Sequence, residues 1–297
     1  MSLDTSAVIF LCAAKAAGVD FATSAMIGRQ SFFPEASPFR RVLSAIGVDL
    51  DLADTLERER FSEPFFSEVL GAHRVESVDV STYESATIIH DMNLPIHDDL
   101  KEVFSCVYDG GSIEHVFNAT QAYKNCMEMV QVGGHFLQLT VANNFLGHGF
   151  WQVSPELLFR IFAPANGYKV VCVLLHEVIA GGSWYVAPDP DSIHRRVELC
   201  NSQPTYILVI AKRVARVEIF NPPPIQSDYT PLWEKKLSAP AQAAKTISRS
   251  AMLRSKIPAS LKRSARSIQR LLGHDDRYGF RGYRRISEND LLQGKLT

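Results

Sequence analysis

Apolar positions along this chain come in short runs, separated by polar turns and by stretches with the spacing of a helix. The short runs are rich in β-branched and aromatic residues and predict strands at 22–27, 75–80, 104–108, 135–141, 169–177 and 206–213. Apolar residues at helical spacing predict helices at 7–14, 39–46, 65–70, 120–130 and 155–162, and the stretch 83–89 predicts a short helix that leads into a strand. The stretch 48–63 is polar and acidic and predicts a connection. Strands that alternate with helices favour an α/β fold, with a mainly parallel, doubly wound sheet covered by helices on both faces.

The part of the chain from 104 to 162 gathers the polar groups that are best placed for chemistry. A short apolar strand there ends in Asp109-Gly110-Gly111, and a Glu114-His115 pair follows. A helix, a Gly-Gly turn and a second apolar strand come next. Open α/β sheets bind ligands at the carboxyl ends of their strands, so this stretch is the first candidate for a functional site.

The composition is that of a protein with a large buried core, since 46% of the 297 residues are hydrophobic. No apolar run approaches the roughly 18 residues that a membrane-spanning helix needs. The apolar run at 7–14 follows Asp4 and lacks the basic start of a secretory signal. The five cysteines are scattered and never spaced as CxxC, which indicates reduced thiols rather than disulfides or a zinc knuckle. We therefore expect a cytoplasmic protein.

Charge is divided unevenly along the chain. Residues 1–234 carry 16 Lys+Arg against 28 Asp+Glu, and residues 235–297 carry 15 against 4. Asn221-Pro222-Pro223-Pro224 precedes the change, and a triple proline supplies no amide donors and stiffens the backbone. The sequence therefore predicts a folded domain at 1–222 and a basic, helical extension at 223–297, with the boundary near 222–235.

The basic extension contains one amphipathic pattern. Its apolar residues recur at helical spacing, at Leu261, Ala265, Ile268 and Leu272. Basic residues fall largely on the other faces, at Lys262, Arg263, Arg266 and Arg270. Such a helix can lie on an anionic membrane surface, hold a polyanionic substrate or dock on the acidic domain; a solvated tail is the remaining alternative. Nucleic acid is not an expected partner, because no known binding module is visible.

Four segments of the chain together resemble class I S-adenosylmethionine-dependent methyltransferases, in particular a bacterial branch often encoded with surface-polysaccharide genes. They are IGRQ at 27–30, DVSTYESATIIHDMNLPI at 79–96, YDGGSIEHVFN at 108–118 and NNFLGHGFWQVSPELLFRIF at 143–162. The resemblance covers residues 10 to 213 or so. It implies a Rossmann-like sheet, S-adenosylmethionine as the cofactor, and an oxygen acceptor on a sugar, polysaccharide or glycolipid-type molecule.

Two acidic segments become candidates for binding the cofactor under this resemblance. Asp79, at a strand end, would accept hydrogen bonds from the two ribose hydroxyls. The alternative is a turn residue or a helix N-cap, and Ser81 is an equally good candidate for the cap. Asp91 would contact the adenine amino group while Met92 packs against the ring. The alternative for Asp91 is a loop aspartate bonded to its own backbone.

Two glycine-containing turns would meet the methionine end of the cofactor. Asp109-Gly110-Gly111 would let the backbone approach it closely, or is a plain turn after a strand. The other turn departs from the family, which has an acidic residue and a Gly-x-Gly-x-Gly loop where this chain has Ile27-Gly28-Arg29-Gln30. Arg29 would either pair with the cofactor carboxylate or fill the pocket. The 51 positions from Gly28 to Asp79 exceed the roughly 20 of compact dinucleotide-binding units, which predicts an insertion or a helix pair over the site.

Glu114-His115 is the sharpest candidate for catalysis. A histidine can take the proton from an acceptor hydroxyl, and a neighbouring carboxylate can orient the histidine or the substrate. The alternative is a structural pair beneath the cofactor. His148, in a Gly-His-Gly loop after a predicted strand, is the competing base. Phe150 and Trp151 would form an apolar wall against a flat or sugar-like acceptor, or belong to the core.

No metal site is predicted. His90, Asp91, His115 and His148 would have to converge, and no HxH or HExxH spacing supports that. A GxSxG elbow and a Walker loop are absent from the sequence as well. Two hypotheses follow: an S-adenosylmethionine-dependent O-methyltransferase, or a methyltransferase-like binding or assembly subunit that has lost its cofactor site.

Overall fold

The computed structural model describes residues 2–194, 196–229 and 283–296. The strands among these residues are β1 (Ser2–Leu3), β2 (Thr23–Ile27), β3 (Ser31–Phe32), β4 (Arg74–Asp79), β5 (Ile88–Ile89), β6 (Phe104–Gly110), β7 (Val130–Val141), β8 (Tyr168–Glu177), β9 (Trp184–Val186), β10 (Thr205–Arg213) and β11 (Arg284–Ile286). The α-helices are α1 (Thr5–Ala16), α2 (Ala36–Ala45), α3 (Leu50–Leu56), α4 (Glu63–Glu68), α5 (Ala119–Met129), α6 (Pro155–Ile161) and α7 (Glu288–Leu292). Short 3-10 helices occur at Asp98–Leu100, Ile113–His115 and Pro164–Asn166.

Nine of these strands form one mixed sheet, in the order β11-β9-β8-β10-β7-β6-β2-β4-β5. The pairings from β5 through β4, β2 and β6 to β7 are parallel. Those from β7 through β10, β8 and β9 to β11 are antiparallel. Seven of the nine strands therefore point the same way, and β9 and β10 run against them. The predicted α/β fold with a mainly parallel, doubly wound sheet is confirmed.

Two apolar cores lie on the two faces of the sheet. Successive side chains of a strand point to opposite faces, and along β6 Cys106 and Tyr108 join the core beneath α1, whereas Val107 joins the core beneath α5. Phe104 also joins the core beneath α5, because the strand has an irregularity between Phe104 and Cys106. Every residue of β6 is buried as a result. This explains why the strand reads as a continuous apolar run until it reaches its polar end at Asp109.

Residues 283–296 contain β11, which belongs to the same sheet as the strands that precede residue 229. β11 pairs with β9 at the edge of the sheet, and α7 packs against α1 and buries Leu291. The domain boundary near 222–235 stays a prediction. The amphipathic pattern from Leu261 to Leu272, with its four basic residues, lies outside the described residues.

Two local predictions are wrong. The short helix predicted from residue 83 is absent, because residues 82–85 form turns and Ser85 has a φ of +56°, which a right-handed helix excludes; the strand predicted to follow it is present as β5. The stretch 48–63 contains α3, because Asp49 caps its first turn by accepting from the Asp51 N–H while Ala53 and Leu56 are buried. The long interval between Gly28 and Asp79 holds β3, α2, α3 and α4.

Four of the five thiols are buried and Cys200 is exposed, and none forms a disulfide in the described part of the chain. Within the described residues, we find no helix with the length and apolar character needed to cross a membrane.

Candidate functional site

The carboxyl ends of β2 and β6 mark the point where the chain changes direction across the sheet. From β2 the chain continues to β4 and β5 on one side and then returns to β6 and β7 on the other. Ile27 and Asp109, near the ends of the two strands, are neighbours in register. Ligands of open α/β sheets bind at such a switch point. The turns that follow β2 and β6 are therefore the place to search for a site.

Arg29, in the turn after β2, is held by the protein itself. Its Nε donates to Glu63 Oε1 over 2.7 Å, and its Nη1 donates to the Glu84 carbonyl over 2.8 Å. The guanidinium carbon lies 3.9 Å from the ring centre of Phe61. These contacts tie α4 and the loop after β4 to the turn at Gly28. An anionic ligand would have to compete with Glu63 for this guanidinium.

Two buried polar atoms without a hydrogen-bond partner meet at Gly110. A Cβ at this glycine would lie 2.8 Å from Gln30 Oε1 and 2.9 Å from Tyr108 Oη, so no larger residue fits. Neither oxygen has a partner among the described residues, although Gln30 Nε2 donates to the Ile27 carbonyl over 2.9 Å and so fixes the amide. Unpaired buried polar groups are rare because they are costly. A polar ligand at the switch point would find an acceptor and a hydroxyl ready to bind it.

Asp109 itself is turned into the protein. Its Oδ1 accepts from the Ser112 N–H over 2.9 Å and from the Ile113 N–H over 3.3 Å, and its Oδ2 accepts from Gln138 Nε2 over 2.8 Å. Burial, and secondly the nearby Glu114 carboxylate, raise the pKa of Asp109 to about 7. The side chain therefore stabilises the turn, and Gly110 and Gly111 are left to present bare backbone.

Asp79 ends β4, the strand next to β2, so it lies roughly 10 Å from Asp109 across two strand spacings. It is half-buried, and its Oδ1 accepts from the Ser81 N–H over 3.3 Å. The interpretation of Asp79 or Ser81 as a helix N-cap is wrong, because a turn follows β4. The ribose-binding role of Asp79 stays a prediction.

Asp91 and Met92 lie in the loop after β5. Asp91 Oδ1 accepts from the Asn93 N–H over 2.9 Å and from Asn93 Nδ2 over 2.7 Å, and these bonds lower the pKa of Asp91. The aspartate thus has the local backbone bond expected of a loop residue. Met92 is buried in the core beneath α5. Contacts of the pair with adenine stay a prediction.

Glu114, His115 and His148 come together above the ends of β6 and β7. Glu114 and His115 lie on the 3-10 helix after β6, and His148 lies in the loop after β7. Glu114 Oε1 is 3.7 Å from His148 Nε2, and the two imidazole ring centres are 4.9 Å apart. Burial raises the pKa of Glu114, whereas burial and then the charge of His148 lower the pKa of His115. The structure therefore brings both predicted bases and the predicted carboxylate into one cluster.

A cavity of about 210 Å³ opens beside this cluster. Its lining includes Gly110, Thr140 and Tyr206, together with Asp4 from the segment before α1. Asp4 caps α1 by accepting from the Ala7 N–H over 2.8 Å, and burial raises its pKa. With Asp4 and Glu114 in its wall, the cavity is suited to cationic groups.

A second cavity, of about 380 Å³, adjoins Glu114 on the side of α5 and α6. Its apolar wall includes Ile113, Phe117, Trp151, Leu157 and Phe220. Trp151 is 44% exposed and donates Nε1 to the Val116 carbonyl over 3.0 Å, and the exposed Phe150 packs edge-on against Phe117. The interpretation of Phe150 and Trp151 as core residues is wrong. Their contact with an acceptor stays a prediction.

Sequence reasoning missed several groups of the site. Gln138 and Thr140 are polar residues at alternate positions of the apolar strand β7, and that alternation is the signal by which they could be found. Asp4 and Gln30 carry no comparable signal, because they lie beside β1 and β3, whose pairing in a separate two-stranded sheet is a long-range contact.

No family model matches the sequence, and no curated protein matches it either. Solved structures with a similar fold include a SAM-dependent methyltransferase from Thermotoga maritima, at 12% identity and a TM-score of 0.37, covering 69% of this chain and 88% of that one. A SAM-dependent methyltransferase from Aquifex aeolicus matches at 8% identity and a TM-score of 0.33, over 67% and 87% of the two chains. The branched-chain polyamine synthase from Thermus thermophilus matches at 12% identity and a TM-score of 0.37, covering 72% of this chain and 58% of that one. Scores this low do not support an argument about activity.

Proposed function

We propose that this protein transfers a methyl group from S-adenosylmethionine to a hydroxyl oxygen of a sugar, polysaccharide or glycolipid-type acceptor in the cytoplasm. The proposal rests on one observation: two groups of residues lie side by side at the carboxyl ends of the parallel strands. The switch-point turns at Gly28 and Gly110 lie next to the cluster of Glu114, His115 and His148. This arrangement would bring the methyl donor and the acceptor hydroxyl next to each other.

The donor would occupy the ends of β2, β4 and β6. Asp79 would accept hydrogen bonds from the ribose hydroxyls, and Asp91 and Met92 would contact the adenine. At the other end, Gln30 Oε1 can accept from an ammonium group and Tyr108 Oη can donate to a carboxylate, which would satisfy both unpaired atoms. S-adenosylmethionine supplies a methyl group on a positively charged sulfur, and the acidic residues near Gly110 favour that charge.

The acceptor would occupy the apolar cavity beside Glu114. Trp151 and Phe117 offer aromatic faces to the C–H groups of a sugar ring. As the acceptor oxygen bonds to the methyl carbon, the carbon–sulfur bond breaks with its electron pair on sulfur, and His115 or His148 takes the hydroxyl proton. The protein's main contribution is to align the two reactants.

Calorimetric titration with S-adenosylmethionine and S-adenosylhomocysteine tests the donor site. We expect binding, and we expect Asp79→Ala to weaken it by at least about tenfold, because one hydrogen bond to a charged group contributes about 1.5–3 kcal/mol. Asp99→Ala, an exposed change in the 3-10 helix after β5, is the matched control and should bind as the parent does. Absence of heat and of a thermal shift at millimolar ligand would contradict the proposal.

Turnover of variants that bind the donor tests the base. With nucleotide sugars and lipid-linked sugars as acceptors, release of S-adenosylhomocysteine is the readout. His115→Asn should keep the donor affinity and slow turnover by a factor of about 100 or more. Unchanged turnover in His115→Asn would assign the proton to His148, for which His148→Asn is the parallel experiment.

A methyltransferase-like binding or assembly subunit is the second candidate. The Arg29–Glu63 ion pair favours this second candidate. The pair lies at the turn after β2, where the family has a Gly-x-Gly-x-Gly loop. This candidate predicts that neither S-adenosylmethionine nor S-adenosylhomocysteine binds, so the same titration separates the two functions.

A further inference from the structure

The cluster of Glu114, His115 and His148 has the composition of a metal site. Each residue offers one nitrogen or oxygen atom, and these atoms all lie within 4.8 Å of one another. Two imidazoles and one carboxylate form a ligand set that suits divalent transition metals and leaves coordination positions open. Of the four residues that the sequence offered for a metal site, His115 and His148 belong to this cluster, and Glu114 takes part in it in place of His90 and Asp91.

Glu114 supplies an independent sign that a ligand is missing. Its side chain is only 1% exposed, and its Oε2 atom has no hydrogen-bond partner among the described residues. Thr140 lies beside the carboxylate but makes no well-aligned hydrogen bond to it. A buried carboxylate oxygen without a partner is unfavourable. A cation bound at the carboxylate would remove that deficit.

We propose that Glu114, His115 and His148 bind one divalent transition-metal ion, with Zn²⁺, Mn²⁺ and Co²⁺ as candidates. Ligand atoms about 2.1 Å from a common ion lie roughly 3.0–3.5 Å from one another. The 3.7 Å between Glu114 Oε1 and His148 Nε2 is close to this value. The remaining separations close by rotation of the two histidines, both of which are exposed.

The open coordination positions would face the 210 Å³ cavity, which both histidines line and which has Glu114 in common with the 380 Å³ cavity proposed for the acceptor. A hydroxyl oxygen bound there would become more acidic, because the cation stabilises its anion. The proton would pass to water while the oxygen bonds to the methyl carbon and the electron pair of the carbon–sulfur bond stays on sulfur. This role rests on the proposed function; the binding of the ion does not. With the ion in place, the two imidazoles act as ligands instead of bases.

Titration of the full-length, chelator-treated protein with each metal salt tests the site. The titrations contain neither S-adenosylmethionine nor an acceptor, so they report on the ion alone. We expect one equivalent to bind, and we expect Glu114→Gln, His115→Asn and His148→Asn each to weaken binding by at least about tenfold, since even second-shell losses reach that size. Co²⁺ also allows the visible spectrum to report nitrogen ligation, which each histidine variant should change.

His97→Asn is the matched control. His97 forms the other close histidine pair of the described residues, 5.4 Å from His90 between ring centres, and lies outside the cluster. It should bind the ion as the parent does. His148 is 47% exposed, so His148→Asn should fold even if Glu114→Gln does not.

Parent-like affinity in both histidine variants, or no stoichiometric binding to the parent at millimolar metal, would overturn the proposal. Methyl transfer can fail while the ion binds, and the ion can fail to bind while S-adenosylmethionine does. The outcomes of the two proposals are therefore distinguishable.

Discussion

Glu114 Oε1 lies 3.7 Å from His148 Nε2, although 34 positions separate the two residues in the sequence. Backbone hydrogen bonds between the two segments help to hold these side chains close together. The Glu114 carbonyl accepts from the Phe150 N–H over 2.7 Å and from the Trp151 N–H over 3.3 Å. The loop after β7 is thereby fastened to the 3-10 helix after β6, and the proposed catalytic and metal-binding groups share one backbone junction.

Gly149 is the residue on which this junction depends, and Gly149→Ala should disrupt it. Its φ is +67°, and a Cβ there would lie 2.8 Å from the Glu114 carbonyl oxygen. We expect the variant to lose about 1–2 kcal/mol of unfolding free energy from the strained backbone, and to lose turnover and metal affinity because His148 is displaced. Chemical denaturation and metal titration measure the two effects.

Gly147→Ala is the matched control for that change. A Cβ at Gly147 meets no atom within 4 Å, and its φ does not lie in the left-handed region. The control should keep stability and metal affinity close to those of the parent. Equal losses in the two variants would show that the loop as a whole, and not its contact with Glu114, is sensitive to substitution.

Most of the fold could be predicted from local patterns in the sequence. A strand such as β6, buried on both faces, leaves a continuous apolar run, and a helix such as α5 leaves apolar residues at every third or fourth position, so both are predictable from a short window. α3 is not, because its polar, acidic surface conceals the two buried residues Ala53 and Leu56. β9, with three residues, is too short to leave a pattern.

The candidate site is only partly predictable for a different reason. The sequence indicates which residues end the strands, as at Asp79 and Asp109, but not which way their side chains turn. The same Asp-Gly-Gly letters would serve a carboxylate that binds a ligand or one that bonds its own turn, as Asp109 does. The meeting of His148 with Glu114 depends on the parallel pairing of β6 with β7, which is a long-range property.

The ion pair of Arg29 with Glu63 should be a stabilising contact. We expect a double-mutant cycle of Arg29→Gln and Glu63→Gln, measured by urea denaturation, to give a coupling free energy of about 1 kcal/mol, because the two side chains are partly exposed. Titration with S-adenosylhomocysteine provides the second readout. If Arg29→Gln weakens binding and Glu63→Gln does not, the guanidinium binds the ligand directly and the contact is more than structural.

Trp151→Ala should weaken the binding of the acceptor and leave the binding of the donor unchanged. The indole lines the 380 Å³ cavity beside Glu114, away from the turns at Gly28 and Gly110. We expect KM for a sugar acceptor to rise about tenfold, in keeping with 1–2 kcal/mol for a lost aromatic contact, at constant affinity for S-adenosylhomocysteine. Phe33→Ala, which removes another exposed aromatic side chain outside this cavity, is the control. A parallel loss of donor affinity in Trp151→Ala would place the indole in the donor site instead.

The basic residues of the extension should increase binding to anionic membranes. Each cation near such a surface contributes about 1 kcal/mol, so changing Lys262, Arg263, Arg266 and Arg270 to Gln should sharply reduce co-sedimentation with phosphatidylglycerol vesicles. This variant is preferable to a truncation at 234, which would remove β11 from the sheet. Equal pelleting of the variant and the parent would exclude a membrane role for these residues.

Asp109 should make the protein less stable as the pH rises from about 4 to 7. Its pKa in the folded protein is raised from 3.8 to about 7, first of all by burial, so in this range the folded state binds a proton that the unfolded state has released. The free energy of unfolding therefore falls with pH across this window and levels off above it. Asp109→Asn should remove up to roughly 4 kcal/mol of that fall, at about 1.4 kcal/mol for each unit of pKa difference.

The asparagine fits this position, because its oxygen can still accept from the Ser112 and Ile113 N–H groups and a flipped Gln138 amide can accept from its nitrogen. Urea denaturation of the parent and the variant at several pH values between 4 and 8 measures the difference. Asp98→Asn is the matched control, since Asp98 is exposed and its pKa is lowered by Lys101, so the fall between pH 4 and 7 should persist in it. If Asp109→Asn keeps the slope of the parent, the Asp109 carboxyl is ionised in the folded protein across this pH range, and burial does not raise its pKa.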